Sequence, residues 1–228
     1  MKSGRTRGDG GLRPSLPSPQ AAFSLIELLV VVAIIALLAA MAVPNLLEAQ
    51  TRAKVVRVKS DLRALATAAE AYLVDHKRLP PNSEGPLGGM TPGDITRWAL
   101  PLSTPVAYIS SAHLLDPFGN ADALFTRGQA PYIYISCEPK DPLAALLLAR
   151  AFPEDLALQE RVVARRYFLL SGGPDGRLEF QRLGSGLNGL TAFVQASVAG
   201  LAVYDPTNGT ASVGDIIRTR KGDFRPDH

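Results

Sequence analysis

Residues 23–44 read FSLIELLVVVAIIALLAAMAVP, and their reading decides the fold. The stretch is apolar throughout except for Ser24 and one carboxylate, Glu27. Its apolar part, 23–43, is 21 residues long, and about 20 suffice to cross a hydrocarbon core. It continues without a break into a polar, helix-patterned run that ends near Arg78. A continuous helix over 23–77 would be about 82 Å long at ~1.5 Å per residue, too long for the inside of a globule of this size. One end is therefore expected in a membrane. A lone carboxylate there costs on the order of 2.5–3.5 kcal/mol near the helix centre and less near an end. Glu27 either finds a partner in that medium or lies idle at headgroup depth. Physics alone gives the two readings similar weight.

Residues 1–22 carry Lys2, Arg5, Arg7 and Arg13 against Asp9, with no apolar periodicity. They read as a basic leader to be removed, outside fold reasoning. That leader accounts for the whole formal charge of +3, because 20 basic and 20 acidic residues remain after it. The sequence pI of about 9.1 is thus no sign of nucleic-acid binding. Arg52, Lys54, Arg57, Lys59 and Arg63 crowd the other flank, so charge alone leaves the membrane orientation open. A competing reading takes Ala40-Met41-Ala42 as a secretory cleavage site and releases a soluble protein starting at Val43. Glu27 within the apolar run and the unbroken helical pattern past Val43 count against it.

Beyond the apolar run, Pro44 lacks the N–H that would bond the Ala40 carbonyl, so a kink or local loosening is expected there. Val55, Val58, Leu62, Leu65, Ala69 and Tyr72 then recur at helical spacing and form one stripe. The small residues in it suit packing under a sheet better than a coiled coil. His76, Lys77 and Arg78 suit the carbonyl end of this helix, and Pro80-Pro81 stops it.

The segment FSLIELLVVVAIIALLAAMAVPN resembles the N-terminal segment of type IV pilins and type II secretion pseudopilins. The matching features are the basic leader, a small residue before Phe23, Glu27 four positions after Phe23, and Pro44. The resemblance implies that a prepilin peptidase cuts between Ala22 and Phe23 and methylates the new amine. It also implies that Glu27 pairs with the N-terminal ammonium of a neighbouring subunit, and that the N-terminus faces the cytoplasm. One departure stands out: Ala22 occupies the position where the family usually has Gly, so cutting is expected to be slower. Residues 72–80, YLVDHKRLP, resemble the end of the long helix in the major pseudopilin. Asp116-Pro117-Phe118-Gly119-Asn120 resembles its D-P-W-G-N turn, with Phe for Trp.

The rest reads as one mixed, globular part. Residues 80–93 hold four Pro and four Gly and read as a loop. Strands are expected at 106–110 and 132–137. Residues 143–152 are apolar but too short to span a membrane, so a buried helix is expected. Two hairpins are expected, 162–171 with 177–182 around Gly172-Gly173-Pro174-Asp175-Gly176, and 198–204 with 211–219 around Asp205-Pro206-Thr207-Asn208-Gly209. The tail from 218 onward reads as frayed. The fold expected is α+β and pilin-like: a long N-terminal helix, membrane-spanning in its first half, packed on a mainly antiparallel sheet. The divisions are leader 1–22, assembly helix 23–44, its amphipathic continuation 45–79 and an extracytoplasmic sheet domain 80–228.

Several chemistries find no support. Gly184-Ser185-Gly186-Leu187-Asn188-Gly189 fits G-x-G-x-x-G, but strands and turns, not a βαβ unit, are expected around it. His76, His113 and His228 are not spaced as zinc ligands. There is no G-x-S-x-G. Asn208-Gly209-Thr210 is a turn signal before it is a glycosylation acceptor. Cys137 stands alone, so no intrachain disulfide forms. Major pseudopilins bind calcium after an S-x-G-x-D-G segment, which Ser171, Gly173, Asp175 and Gly176 match. By that resemblance Asp175, Asp205 and Asp215 are candidate calcium ligands, although the acidic, glycine-rich loop that should follow is not recognisable. The bland alternative is an Asp-Gly turn without metal.

The function implied is a structural, non-enzymatic subunit of a type II secretion-like pseudopilus, anchored in the inner membrane with its sheet domain in the periplasm. The implied partners are other copies of itself, minor pseudopilins, the prepilin peptidase, an inner-membrane assembly platform and lipid, with no nucleic acid. A type IV pilus subunit for adhesion, motility or DNA uptake is the nearest alternative. A membrane-anchored or secreted enzyme is the alternative of another class.

Overall fold

The computed structural model describes residues 23–81, 99–111, 114–119, 132–183, 186–199, 203–205, 207 and 214–223. It divides into two compact units, 1–46 and 47–228. The helix α1, Leu25–His76, passes through Pro44 without a break in assignment and contributes to both. The expected loop at 80–93 lies outside the described residues from 82 onward.

In the first unit every described residue from 23 to 46 is exposed, with Leu25 at 80%. Among the described residues, α1 is the helix long and apolar enough to cross a membrane. Leaving such side chains in water forfeits about 1.5–3 kcal/mol for each large one, so this surface needs a non-aqueous environment or other protein around it.

In the second unit the periodicity of α1 becomes a packing face. All six residues of the expected stripe, Val55, Val58, Leu62, Leu65, Ala69 and Tyr72, are buried. They meet a four-stranded antiparallel sheet, β1 Ile133–Ser136, β2 Tyr167–Ser171, β3 Ile216–Thr219 and β4 Gly222–Asp223, in the order β1-β2-β3-β4. Alternate residues separate onto the two faces, as the pleat requires. Tyr134, Tyr167, Leu169 and Ile216 pack with α1 in one core. Ile133, Ile135, Phe168, Leu170 and Ile217 form a second core on the opposite face.

Four helices follow the first strand, α2 Pro142–Ala151, α3 Leu156–Val163, α4 Glu179–Leu183 and α5 Gly186–Val198; α2, α3 and α5 supply residues to that second core, and α4 packs against α5. The expected helix at 143–152 is α2, started by Asp141, whose carboxylate accepts the N–H groups of Leu143 and Ala144 at 2.9 and 3.2 Å. Its buried face is Ala144, Leu147, Leu148 and Ala151. β1 falls within the expected 132–137.

β2 and β3 fall within the expected strands 162–171 and 211–219, but among the described residues they pair with each other and not with their expected hairpin partners; residues 200–202, 206 and 208–213 of the second expected hairpin lie outside the described residues. Val162 and Val163 end α3 instead of starting a strand. Asp155 caps that helix through the Leu158 N–H at 2.9 Å, and this local bond outweighs the strand preference of two β-branched residues. The Gly172–Gly176 turn leads into α4, not into a second strand. Residue 198 closes α5, and Val203 makes one isolated parallel bridge to Asp215. The surroundings of Gly186 are therefore helical, where strands and turns were expected. Residues 106–110 are irregular. Their Tyr108 and Ile109 N–H groups both bond the Leu102 carbonyl, which draws the chain into a turn. The tail is ordered through Asp223 because β4 pairs with β3, Arg218 opposite Asp223.

Candidate assembly site

Glu27 is the third residue of α1, and Ser24 directly precedes the helix. The Ser24 N–H donates to Glu27 Oε2 at 2.9 Å, and the Leu28 N–H bonds the Ser24 carbonyl at 3.2 Å. This is the reach-back half of the S-x-x-E capping pattern. Near the start of α1 the carboxylate also lies at the positive end of the helix dipole. Oε1 has no donor among the described residues, which leaves one oxygen open to a further cation. Phe23 precedes Ser24 and is 76% exposed. Ala22 lies outside the described residues. At Pro44, where the main-chain donor is missing, the neighbouring Asn45 side chain bonds the Met41 carbonyl at 3.3 Å. The role of Ser24 was not singled out from the sequence, although the S-x-x-E spacing was there to be read.

The calcium candidates are placed apart in role. Asp215 is fully buried, and both its oxygens accept the Glu179 N–H, at 3.2 and 3.3 Å. It caps α4 from the foot of β3, and burial pushes its carboxyl well above the usual range. Asp205 is exposed and accepts the Thr207 N–H and hydroxyl at 2.8 and 2.7 Å, which lowers its pKa. Asp175 accepts the Arg177 N–H at 3.2 Å, and burial raises its pKa. Among the described residues no group of three His, Cys, Asp or Glu side chains could hold a metal ion. A fourth carboxylate, Asp116, stands beside the same turn. Its Oδ2 accepts the Gly172 N–H at 3.1 Å, its Oδ1 accepts that of Phe118 at 2.9 Å, and burial raises its pKa. The D-P-F-G turn is thus structural, and Lys54 of α1 lies 5.8 Å from the Phe118 ring centroid.

Tyrosines fix the sheet to α1. Tyr132 donates to Asp61 at 2.9 Å, Tyr167 to Glu70 at 3.0 Å and Tyr108 to Asp75 at 2.7 Å. Tyr167 lies in β2 and Tyr132 directly precedes β1, whereas Tyr108 ties the irregular segment at 106–110 to α1. The hydrogen bond that Tyr108 donates to Asp75, more than burial, pushes its phenol up to about 12.

Residues 17–43 match a family model described as the prokaryotic N-terminal methylation motif. The type II secretion system core protein G of Pseudomonas aeruginosa is 31% identical over 130 residues, 54% of this chain and 78% of that protein. The chain belongs to the pilin and pseudopilin family. The type IV major pilin protein PilA of Myxococcus xanthus is 46% identical over 56 residues, 25% of this chain and 26% of that protein. Core protein G of Klebsiella michiganensis is 38% identical over 66 residues, 29% of this chain and 46% of that protein. Against these last two the chain spans less than half of the relative's length. No solved structure matches. As a member of this family the chain is a structural, self-assembling protein, and its N-terminal apolar helix fits a membrane-anchored subunit.

Proposed function

We propose that the protein is a structural subunit of a type II secretion-like pseudopilus. The observation that carries this reading is the extent of the match: likeness to a core protein G runs over 130 residues, while likeness to the M. xanthus pilin stops at 56. In this reading prepilin peptidase cuts between Ala22 and Phe23 and methylates the amine. The N-terminus stays cytoplasmic, and the unit containing the sheet lies in the periplasm until an inner-membrane platform draws the subunit into a fibre with minor pseudopilins.

The role of Glu27 follows from its geometry. One oxygen is held by the Ser24 N–H, and in this reading the other lies in a medium poor in water. A cation in that medium is worth far more to it than in water. The terminal ammonium of a neighbouring Phe23 supplies one, so each docking step neutralises two charges and sets the axial register. Contacts of this head-to-tail kind give open fibres and not closed rings. No catalytic residue is proposed.

For calcium, the support is the Ser171–Gly176 segment and Asp175 upon it. Asp205 and Asp215 are already engaged by Thr207 and Glu179. A melting shift on adding calcium, lost in Asp175→Asn, is the outcome that would sustain a site; no shift removes it.

The deciding experiment is deletion of the gene with both phenotypes scored. Loss of enzyme secretion without loss of surface fibres supports the pseudopilus. Loss of shed surface fibres with secretion intact makes it a type IV pilus subunit.

A further inference from the structure

The turn after β2 is fastened from two sides by buried carboxylates. Asp116 accepts the Gly172 N–H at 3.1 Å on one oxygen and the Phe118 N–H at 2.9 Å on the other, and the Ser171 hydroxyl is bonded to it as well. Asp215 accepts the Glu179 N–H on both oxygens, at 3.2 and 3.3 Å. Between these two acids the main chain is in direct contact. A Cβ on Gly173 would stand 2.4 Å from the Gly214 carbonyl oxygen, and one on Gly214 would stand 2.7 Å from the Val203 carbonyl carbon. Gly173 thus lies against Gly214, and Gly214 against Val203. The Tyr204 N–H completes the stack by bonding the Asp215 carbonyl at 2.9 Å.

This is the segment whose S-x-G-x-D-G pattern implies calcium by resemblance, and its residues do not fit that ion. Calcium takes about six to eight oxygens at about 2.3–2.6 Å. Here each member of the pattern has a partner within the chain. Ser171 is turned to Asp116, and its oxygen accepts the Gly173 N–H at 3.5 Å. Gly173 abuts Gly214. Asp175 accepts the Arg177 N–H at 3.2 Å, and the Gly176 N–H bonds the Gly173 carbonyl at 3.0 Å. Asp205 is exposed and held by Thr207. Among the described residues no three His, Cys, Asp or Glu side chains converge as a metal site. Where an acidic, glycine-rich loop would follow Asp175, the chain builds α4 and α5, and the first N–H of α4 meets Asp215. Bonds from backbone N–H groups to a carboxylate are charge-assisted and roughly twice as strong as neutral ones. Both buried acids are thereby served by the main chain.

We propose that this turn closes without a metal ion, Asp116 and Asp215 taking, through backbone N–H groups, the part that the resemblance assigns to calcium. Asp116 ties the turn to the segment at 116–118. Asp215 ties the start of α4 to the foot of β3, against which Gly173 is packed through Gly214. The closure belongs to the chain alone, so it holds whatever the calcium level of its surroundings. It concerns this turn only and does not rest on the pseudopilus reading.

The test is thermal melting of the full-length protein in a nonionic detergent, once with a calcium chelator and once with calcium. About 5 mM calcium suffices, above the roughly 10⁻⁴–10⁻³ M at which extracellular calcium modules bind. The wild type is expected to melt at the same temperature in both. Asp116→Asn turns an amide N–H toward a backbone N–H, and Asp215→Ala leaves the Glu179 N–H without its acceptor. Both are expected to melt lower by about 2 °C or more, and by the same amount in both buffers. A wild type that melts higher with calcium than with chelator would overturn the proposal. Variants that melt like the wild type in the chelator would overturn it as well, by showing that the two carboxylates do not hold the turn. If Asp215→Ala does not fold, the two wild-type melts and Asp116→Asn still decide. The fibre reading is scored apart from this, on the secretion and fibre phenotypes of the deletion, and can fail while the metal-free turn stands.

Discussion

Glu27 Oε2 accepts the backbone N–H of Ser24 at 2.9 Å, so the carboxylate closes its own helix before it meets any neighbour. Two jobs are combined in one side chain, and substitution separates them. Glu27→Gln keeps an oxygen for the Ser24 N–H and removes the charge. Glu27→Ala removes both. The capping share is worth about 0.5–2 kcal/mol of helix stability. If the charge carries assembly, both variants insert into the membrane and both lose fibres. Fibres of normal yield from Glu27→Gln would mean that capping was the whole role.

By the resemblance of this segment to prepilins, Ala22 stands where glycine is usual. Only a methyl group separates it from glycine. Ala22→Gly is therefore expected to raise the rate of cleavage, and Ala22→Leu to abolish it. Mass spectrometry of the membrane-extracted protein reads both. The wild type should begin at N-methyl-Phe23. A start at Val43 would mean secretion as a soluble protein, and an intact Met1 would leave Glu27 without an amine to pair with.

Asp215 predicts the direction of one pH effect. Burial raises its folded pKa well above the ordinary value of about 3.9. A group with a raised folded pKa binds its proton more tightly in the folded state. Its contribution is fully present below the unfolded pKa and is lost as pH rises through the folded one. Asp116 and Asp175 shift the same way, also through burial, whereas Asp205 is lowered and works in the opposite sense. Asp215→Asn keeps an acceptor for the Glu179 N–H but no longer titrates. Its melting temperature should change less between pH 4 and 7 than that of the wild type. Equal pH slopes for both proteins would show that Asp215 does not govern this range.

What was legible in the sequence is what local periodicity governs. Val55 to Tyr72 keep their spacing whatever covers them, so the buried stripe could be named residue by residue. The far side of the sheet was harder. β1 and β2 are IYIS and YFLLS, buried at every position. That lack of polar alternation is the mark of a sheet covered on both faces; α2 was expected from its own apolar run, whereas strands and turns were expected where α5 lies. α4 is not legible locally: a five-residue helix is held by the Asp215 carboxylate from 36 residues away, and no window of sequence shows such a bond. For the same reason the bond from the Glu179 N–H to Asp215, which the sequence offered only as a candidate calcium ligand, was out of view. Glu27 was legible as an isolated carboxylate in an apolar run, but the amine it is proposed to meet belongs to another chain.

Gly173 tests the turn that separates the two readings of Asp175. Its φ is +62°, and an added Cβ would stand 2.4 Å from the Gly214 carbonyl oxygen. Any side chain there must both adopt a left-handed backbone and push that carbonyl away. Gly214 directly precedes Asp215, so the displacement would reach the cap of α4. Gly173→Ala is therefore expected to cost about 1–3 kcal/mol or more, although alanine lowers the entropy of the unfolded chain. Val56→Ala serves as the comparison, because Val56 is 67% exposed on α1 and its loss should fall within about 0.5 kcal/mol. Denaturant melts of the two variants measure the difference. A Gly173→Ala protein as stable as the wild type would show that the turn relaxes freely, and would remove the close Gly173–Gly214 approach as a constraint on the α4 cap.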